Sequence, residues 1–310
     1  MLRVRPLTFE ATASYVQRLA TAYRLTLPQL LDGASVTLTG HGTLPTAELH
    51  LSPGSCHHLA ALTHIPLPHL ARALPRLAPS DDAHGTEAAA RWKRLEAEQQ
   101  PVRACTLCTR HHSHDATDTA WVHPAPHRLI CPRHHQAAPD PRLTTTLRTQ
   151  GVPELAAAHH AHQRLLRQPR AVTAWTAARA ITTRWYDHQR HLTHRWHTRL
   201  TQLCAANPRL ATTGSASPAL LTRDLVTYPE SVALARTLAA LPNRPHRTTD
   251  DALNLIAHQL GLPRLPLNSN DPLRVFLTHT PLSSVRKAGS VHTPCGVLQC
   301  QGWPCQERRS

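Results

Sequence analysis

Leu19-Ala20, followed by Leu25-Thr26-Leu27-Pro28-Gln29-Leu30, returns forty residues later as Leu59-Ala60, followed by Ile65-Pro66-Leu67-Pro68-His69-Leu70. This repeat sets the fold class. Upstream of the first copy, Tyr15, Val16, Leu19, Ala20 and Tyr23 fall at the three-, four- and seven-residue steps that place side chains on one face of a helix. Pro28 suits the first turn of a second, short helix, and Gly33 can end it in a left-handed conformation. Each copy therefore reads as helix, tight turn, helix. A looser third echo, Ile256-Ala257-His258-Gln259-Leu260-Gly261-Leu262-Pro263, follows an expected N-cap at Thr249 or Asp250. The expectation is a mainly α protein with helix-turn-helix-like hairpins. Such hairpins can place their second helix in a DNA major groove, and a plain packed helix pair has the same spacing.

Working outward, the chain has 310 residues, enough for roughly two domains. Lys+Arg number 34 against 19 Asp+Glu, a formal net charge of +15 that favours polyanionic partners. Only Lys93 and Lys287 are lysines, so arginine carries the excess, a bias that GC-rich coding also produces. Aromatics make up 4% of the chain, which leaves Leu, Ala, Val and Ile to build the core and favours helices over sheets. No apolar run approaches membrane-spanning length, and the first residues lack a secretory signal, so a cytoplasmic location without a membrane is expected.

The strongest local signal is Cys105-Thr106-Leu107-Cys108 and, after twenty-two residues, Cys131-Pro132-Arg133-His134. Two residues between ligands let each knuckle present both side chains to one ion, and three sulfurs with one imidazole suit tetrahedral Zn2+. Four protein ligands leave no open position, so one structural site is expected, with Cys105, Cys108, Cys131 and His134 as ligands. His111, His112, His114, His123, His127 and His135 are alternatives for the fourth. Trp121-Val122 and Leu129-Ile130 would cover the ion, whose removal is expected to unfold the segment. His292, Cys295, Cys300 and Cys305 are spaced less tightly and could form a second site. Cys56 and Cys204 read as small buried apolar residues.

Turn- and linker-rich stretches divide the chain into a helical, helix-turn-helix-like domain at 1–80, a linker with a short helix at 81–102, a zinc-finger module at 103–138, a basic helical domain at 139–267 and a disordered tail at 268–310. Pro169 splits the basic region. Beyond it, Trp175, Ala178, Thr182, Trp185, Leu192, Trp196 and Leu203 make a stripe that should pack as core. Between residues 141 and 210 there are eleven arginines and two acids. Arg164, Arg167, Arg170, Arg179, Arg184, Arg190, Arg195 and Arg199 are the candidate phosphate contacts, and a solvated basic face is the plainer reading.

The stretch from Pro6 to Ala20 has an acid, Glu10, and a serine, Ser14, before Tyr15 and an Arg18-Leu19-Ala20 helix. Together with the repeated hairpin and the Cys105/Cys108, Trp121, Cys131/His134 cluster, it resembles the TniQ/TnsD family of transposon target-selection proteins over residues 5–140. Tyr15 stands where the family often has tryptophan, Arg24 where it often has glycine, and Thr106 where proline often follows the first cysteine. The resemblance implies non-catalytic recruitment to double-stranded DNA, with a transposition ATPase, a transposase or a guide complex as further partners. A zinc-containing helix-turn-helix transcriptional regulator and a domesticated interaction scaffold are the alternatives. No HExxH, P-loop or GxSxG pattern is present, and Asp81/Asp82 and Asp250/Asp251 read as loop and cap residues, so an enzyme is not expected.

Overall fold

The computed structural model describes residues 4–77, 88–125, 129–212, 216–241, 248–265 and 268–279. Both hairpins form. Helix α1 (Thr12–Ala22) buries Tyr15, Val16, Leu19 and Ala20, and the chain turns at Arg24, held at φ 59°. Helix α2 (Leu27–Gly33) starts with a capping box in which the Thr26 hydroxyl and the Gln29 side chain satisfy each other's backbone amides. Strands β1 (Thr37–Thr39) and β2 (Ala47–Leu51) separate this unit from the second hairpin. There, α3 (Pro53–Thr63) is capped by Ser52 and leads through left-handed His64 into α4 (Leu67–Ala73).

The next strand corrects the expected linker at 81–102. Residues 89–94 form β3 (Ala89–Arg94), the central strand of a sheet, parallel to β1 and antiparallel to β2, with Leu49 opposite Trp92. Among the described residues of that segment, the helical piece is a 3₁₀ turn at Ala97–Gln99. The sheet joins residues on both sides of the expected boundary at 80, so the first body extends past it. Gly42 is required where its loop crosses Trp92, because a Cβ there would lie 2.7 Å from the indole.

The segment carrying the Cys/His cluster begins with β4 (Val102–Arg103), α5 (Thr106–His112) and β5 (Trp121–Val122). It continues with β6 (Ile130–Cys131) and β7 (Gln136–Ala137), which form a three-stranded sheet with β8 (Leu147–Arg148). The helices that follow are α6 (Pro153–Leu165), α7 (Ala171–Asp187), α8 (Thr193–Ala206), the single-turn α9 (Pro218–Leu221) and α10 (Arg223–Val226), then α11 (Tyr228–Ala240), α12 (Thr249–Gln259) and α13 (Pro272–His279).

Helix α11 is buried along most of its length and packs on α6, α7 and α12, forming the centre of the second body. Trp175, Trp185 and Trp196 are all buried in this core, as the stripe predicts. The stripe does not run on one helix, however: left-handed Gln189 and His191 break it into α7 and α8. Thr248, rather than Thr249 or Asp250, caps α12, in a capping box with Asp251.

The expected disordered tail is corrected at its start. Leu273 and Leu277, one helical turn apart, are buried on α13, and buried Asp271 anchors the entry by accepting from the Leu273 amide and the Trp185 indole N–H. Residues 280–310, and with them His292, Cys295, Cys300 and Cys305, lie outside the described residues. No helix among the described residues is long and apolar enough to cross a membrane.

Candidate metal centre and nucleic-acid interface

Cys105 precedes the first turn of α5 and Cys108 lies within it, so the helical rise brings both sulfurs to one side. Cys131 ends β6. A tight turn, closed by the His135 amide donating to the Cys131 carbonyl at 2.9 Å, then presents His134. His134 Nδ1 lies 3.3 Å from the sulfurs of both Cys105 and Cys108 and 3.7 Å from that of Cys131, and the Cys108 and Cys131 sulfurs are 3.7 Å apart. All four donor atoms lie within 4.8 Å of one another, and this cluster could hold one metal ion. Ligands bound at about 2.0–2.3 Å in a tetrahedron are separated by about 3.4–3.8 Å, the spacing seen here.

Hydrogen bonds from Cys105 and then Cys108 pull the Cys131 thiol far below its usual range. Cys108 is pushed up by its contacts with Cys105 and Cys131 and by burial. Among the alternative fourth ligands, His123 is committed elsewhere, its Nε2 lying 2.9 Å from Glu48 Oε2. His127 lies outside the described residues.

Gln136 was not singled out by the sequence reading, yet it links the two knuckles. From β7, beside Cys131, its side-chain carbonyl accepts from the Thr106 amide and hydroxyl, both at 3.0 Å, and from the Thr146 hydroxyl at 3.2 Å. Glutamine at a strand position carries no signature of this role. It emerges only when β7 is placed against α5.

The opening motif docks the first hairpin onto the module. Arg18 donates to both oxygens of Glu10 at 2.7 Å, to the Ser113 hydroxyl at 2.7 Å and to the Arg5 carbonyl at 2.9 Å. Glu10 also accepts from the Leu7 amide and the Ser14 hydroxyl, and Ser14 in turn accepts from the Trp121 amide. Arg18 is 1% exposed and Glu10 fully buried, so the acid, the serine and the arginine form one satisfied network between α1, α5 and β5. Glu48, also buried, accepts from the Ala13 amide at the start of α1.

The eight candidate arginines divide. Arg164, Arg167 and Arg170 are exposed around the α6–α7 turn, Arg184 is exposed on α7, and Arg190 is half-buried in the break before α8. Among the described residues none of these five has a carboxylate within ion-pair reach. The other three have structural partners. Arg179 is ion-paired with Asp224, and Arg195 donates to the carbonyls of Leu260 and Gly261. Arg199 is 4% exposed, bound to Glu230, Glu154 and the Val226 carbonyl. Its burial corrects the expectation of a phosphate contact at this position, since an arginine neutralised within the core does not reach a DNA backbone. Glu230 and Glu154 are the acids that capture it, and their distance in sequence hid the pairing.

Residues 1–137 match the family model TniQ. Over that part the chain resembles the TniQ family, which is associated with transposition, and the match takes in all four residues of the donor cluster. No curated protein and no solved structure matches the chain.

Proposed function

We propose that the protein is a non-catalytic, zinc-containing adaptor that binds double-stranded DNA during target selection in transposition. The observation that carries this reading is the four-donor cluster, which lies within the part of the chain that resembles TniQ. Three sulfurs and one imidazole nitrogen favour zinc over magnesium or calcium, which prefer oxygen, and a complete shell leaves the ion a structural role. Cys105, Cys108, Cys131 and His134 hold it. A transposition ATPase, a transposase or a guide complex would be the partners that the adaptor brings to the site.

Phosphate contact falls to the arginines without carboxylate partners, chiefly Arg164, Arg167 and Arg170, which are close in sequence and exposed together. In the hairpins, α4 supports a helix-turn-helix reading better than α2: it exposes His69 and Arg72, whereas α2 exposes Gln29 and the acid Asp32.

The test is duplex-DNA binding across a salt series with the intact protein and with Arg164, Arg167 and Arg170 all replaced by glutamine. If each contacts one phosphate, the slope of log affinity against log salt becomes shallower by roughly 3. An unchanged slope moves the interface elsewhere, and no binding at low salt removes DNA from the proposal.

A further inference from the structure

The metal module is not a self-contained domain at 103–138. Its first half, with Cys105 and Cys108, belongs to the first body: the β5 amide of Trp121 is held by Ser14, Ser113 by Arg18, and Ala104 and Ala120 share a small core with Leu7. Its second half, with Cys131 and His134, belongs to the other body. Ile130, Ala137 and Leu147 enter the core of α6, α7 and α11, and the Arg148 amide is held by Asn207 just beyond α8.

The two hydrophobic cores are separate. An open cleft of about 590 Å³ lies between them and takes in the donor cluster, with Leu7 and Ala104 on one side, Ile130 and Ala137 on the other, and Cys105 and Cys131 across it. A second cavity, of about 330 Å³, continues between Glu98 and Val102 on one side and Trp175 and Tyr228 on the other. No buried apolar cluster among the described residues bridges the two cores. Polar contacts across the seam occur at the donor cluster and at the adjoining clamp of Gln136 on Thr106.

We infer that the bound metal fastens the two bodies to each other, taking two ligands from each, with Gln136 as the residue that positions the knuckles. The inference rests on the reading of the cluster as a metal site. It changes what metal loss does: each body keeps its own core and its fold, and the connection between them opens.

The test compares full-length protein, metal-loaded and after chelation, by metal analysis, far-UV circular dichroism and small-angle X-ray scattering. The expected result is one zinc per chain, helical signal largely retained after chelation, and a radius of gyration that rises by roughly a quarter as two compact bodies separate. Gln136→Ala is expected to lose zinc and to expand at a lower chelator concentration than the parent protein, and expansion at the same concentration removes Gln136 from the positioning role. Zinc bound and removed with no change in the radius of gyration overturns the fastening role and leaves the metal site standing. Helical signal lost in step with the metal also overturns it, because the bodies then depend on the ion for their own fold. No zinc bound at all overturns the metal reading and the inference with it.

Discussion

Replacing Arg18 with alanine removes a guanidinium that is 1% exposed and makes four hydrogen bonds, two to Glu10 and one each to Ser113 and the Arg5 carbonyl. The larger consequence falls on Glu10, which stays buried with only the Leu7 amide and the Ser14 hydroxyl as donors. Breaking a buried ion pair from one side costs about 3–5 kcal/mol, mainly through the charge left behind. With a urea slope of about 2 kcal/mol/M, the unfolding midpoint of the first body falls by about 2 M. The Arg110–Asp115 pair provides the contrast. Its side chains are 55% and 73% exposed, and Asp115→Ala should cost under about 1 kcal/mol. Hydrogen exchange by mass spectrometry across a urea series reads the two bodies separately. Removing Glu10 together with Arg18 should cost less than the two single substitutions added, by about 2 kcal/mol. An Arg18→Ala protein as stable as Asp115→Ala would refute the claim that this network docks the hairpin.

Three further outcomes follow from other sites. Gln136→Ala is expected to lower zinc affinity by about 10- to 100-fold in competition with a chromogenic chelator, the usual effect of losing a group that orients metal ligands, and unchanged affinity would count against the clamp. Burial alone would raise the Asp271 carboxyl, but hydrogen bonds from His191, the Leu273 amide and Trp185 outweigh it and hold the group below its ordinary value. Its stabilising contribution is therefore present above the unfolded carboxylate range, near about 4, and is lost as pH falls through the lower folded value. Asp271→Asn should remove that part of the acid sensitivity of α13 protection in hydrogen exchange. Burial pushes the Cys56 thiol up to about 11, so a thiol reagent at pH 8 should leave Cys56 unmodified in the folded protein and label it in urea; rapid labelling of the native protein would contradict its placement.

Periodicity was a reliable guide where a helix buries one face on its own neighbours. Tyr15, Val16 and Leu19 announce α1, and Trp175, Ala178 and Trp185 announce α7, because the three- and four-residue steps are local. The Cys/His donor cluster was legible for the same reason, since each knuckle is a short-range pattern. Strand β3 was not. Ala89-Ala90-Arg91-Trp92-Lys93-Arg94 has little strand character alone and is drawn into the sheet by edges that β1 and β2 offer from thirty-five or more residues away. Charged residues that turn out buried were equally hidden, because Arg199 looks like its seven exposed or partly exposed neighbours until Glu230 is brought beside it. Helix α13 was missed because Leu273 and Leu277 sit within a segment whose composition otherwise resembles a tail, and the anchor Asp271 acts through Trp185 and His191, far away in the chain.

The central claim is that Cys105, Cys108, Cys131 and His134 hold one zinc ion. X-ray absorption at the zinc edge on the purified full-length protein, together with metal analysis, tests it most directly. One zinc per chain with three sulfurs at about 2.3 Å and one nitrogen at about 2.0–2.1 Å is the predicted result. A zinc-free protein, or a shell with fewer than three sulfurs, would contradict the account.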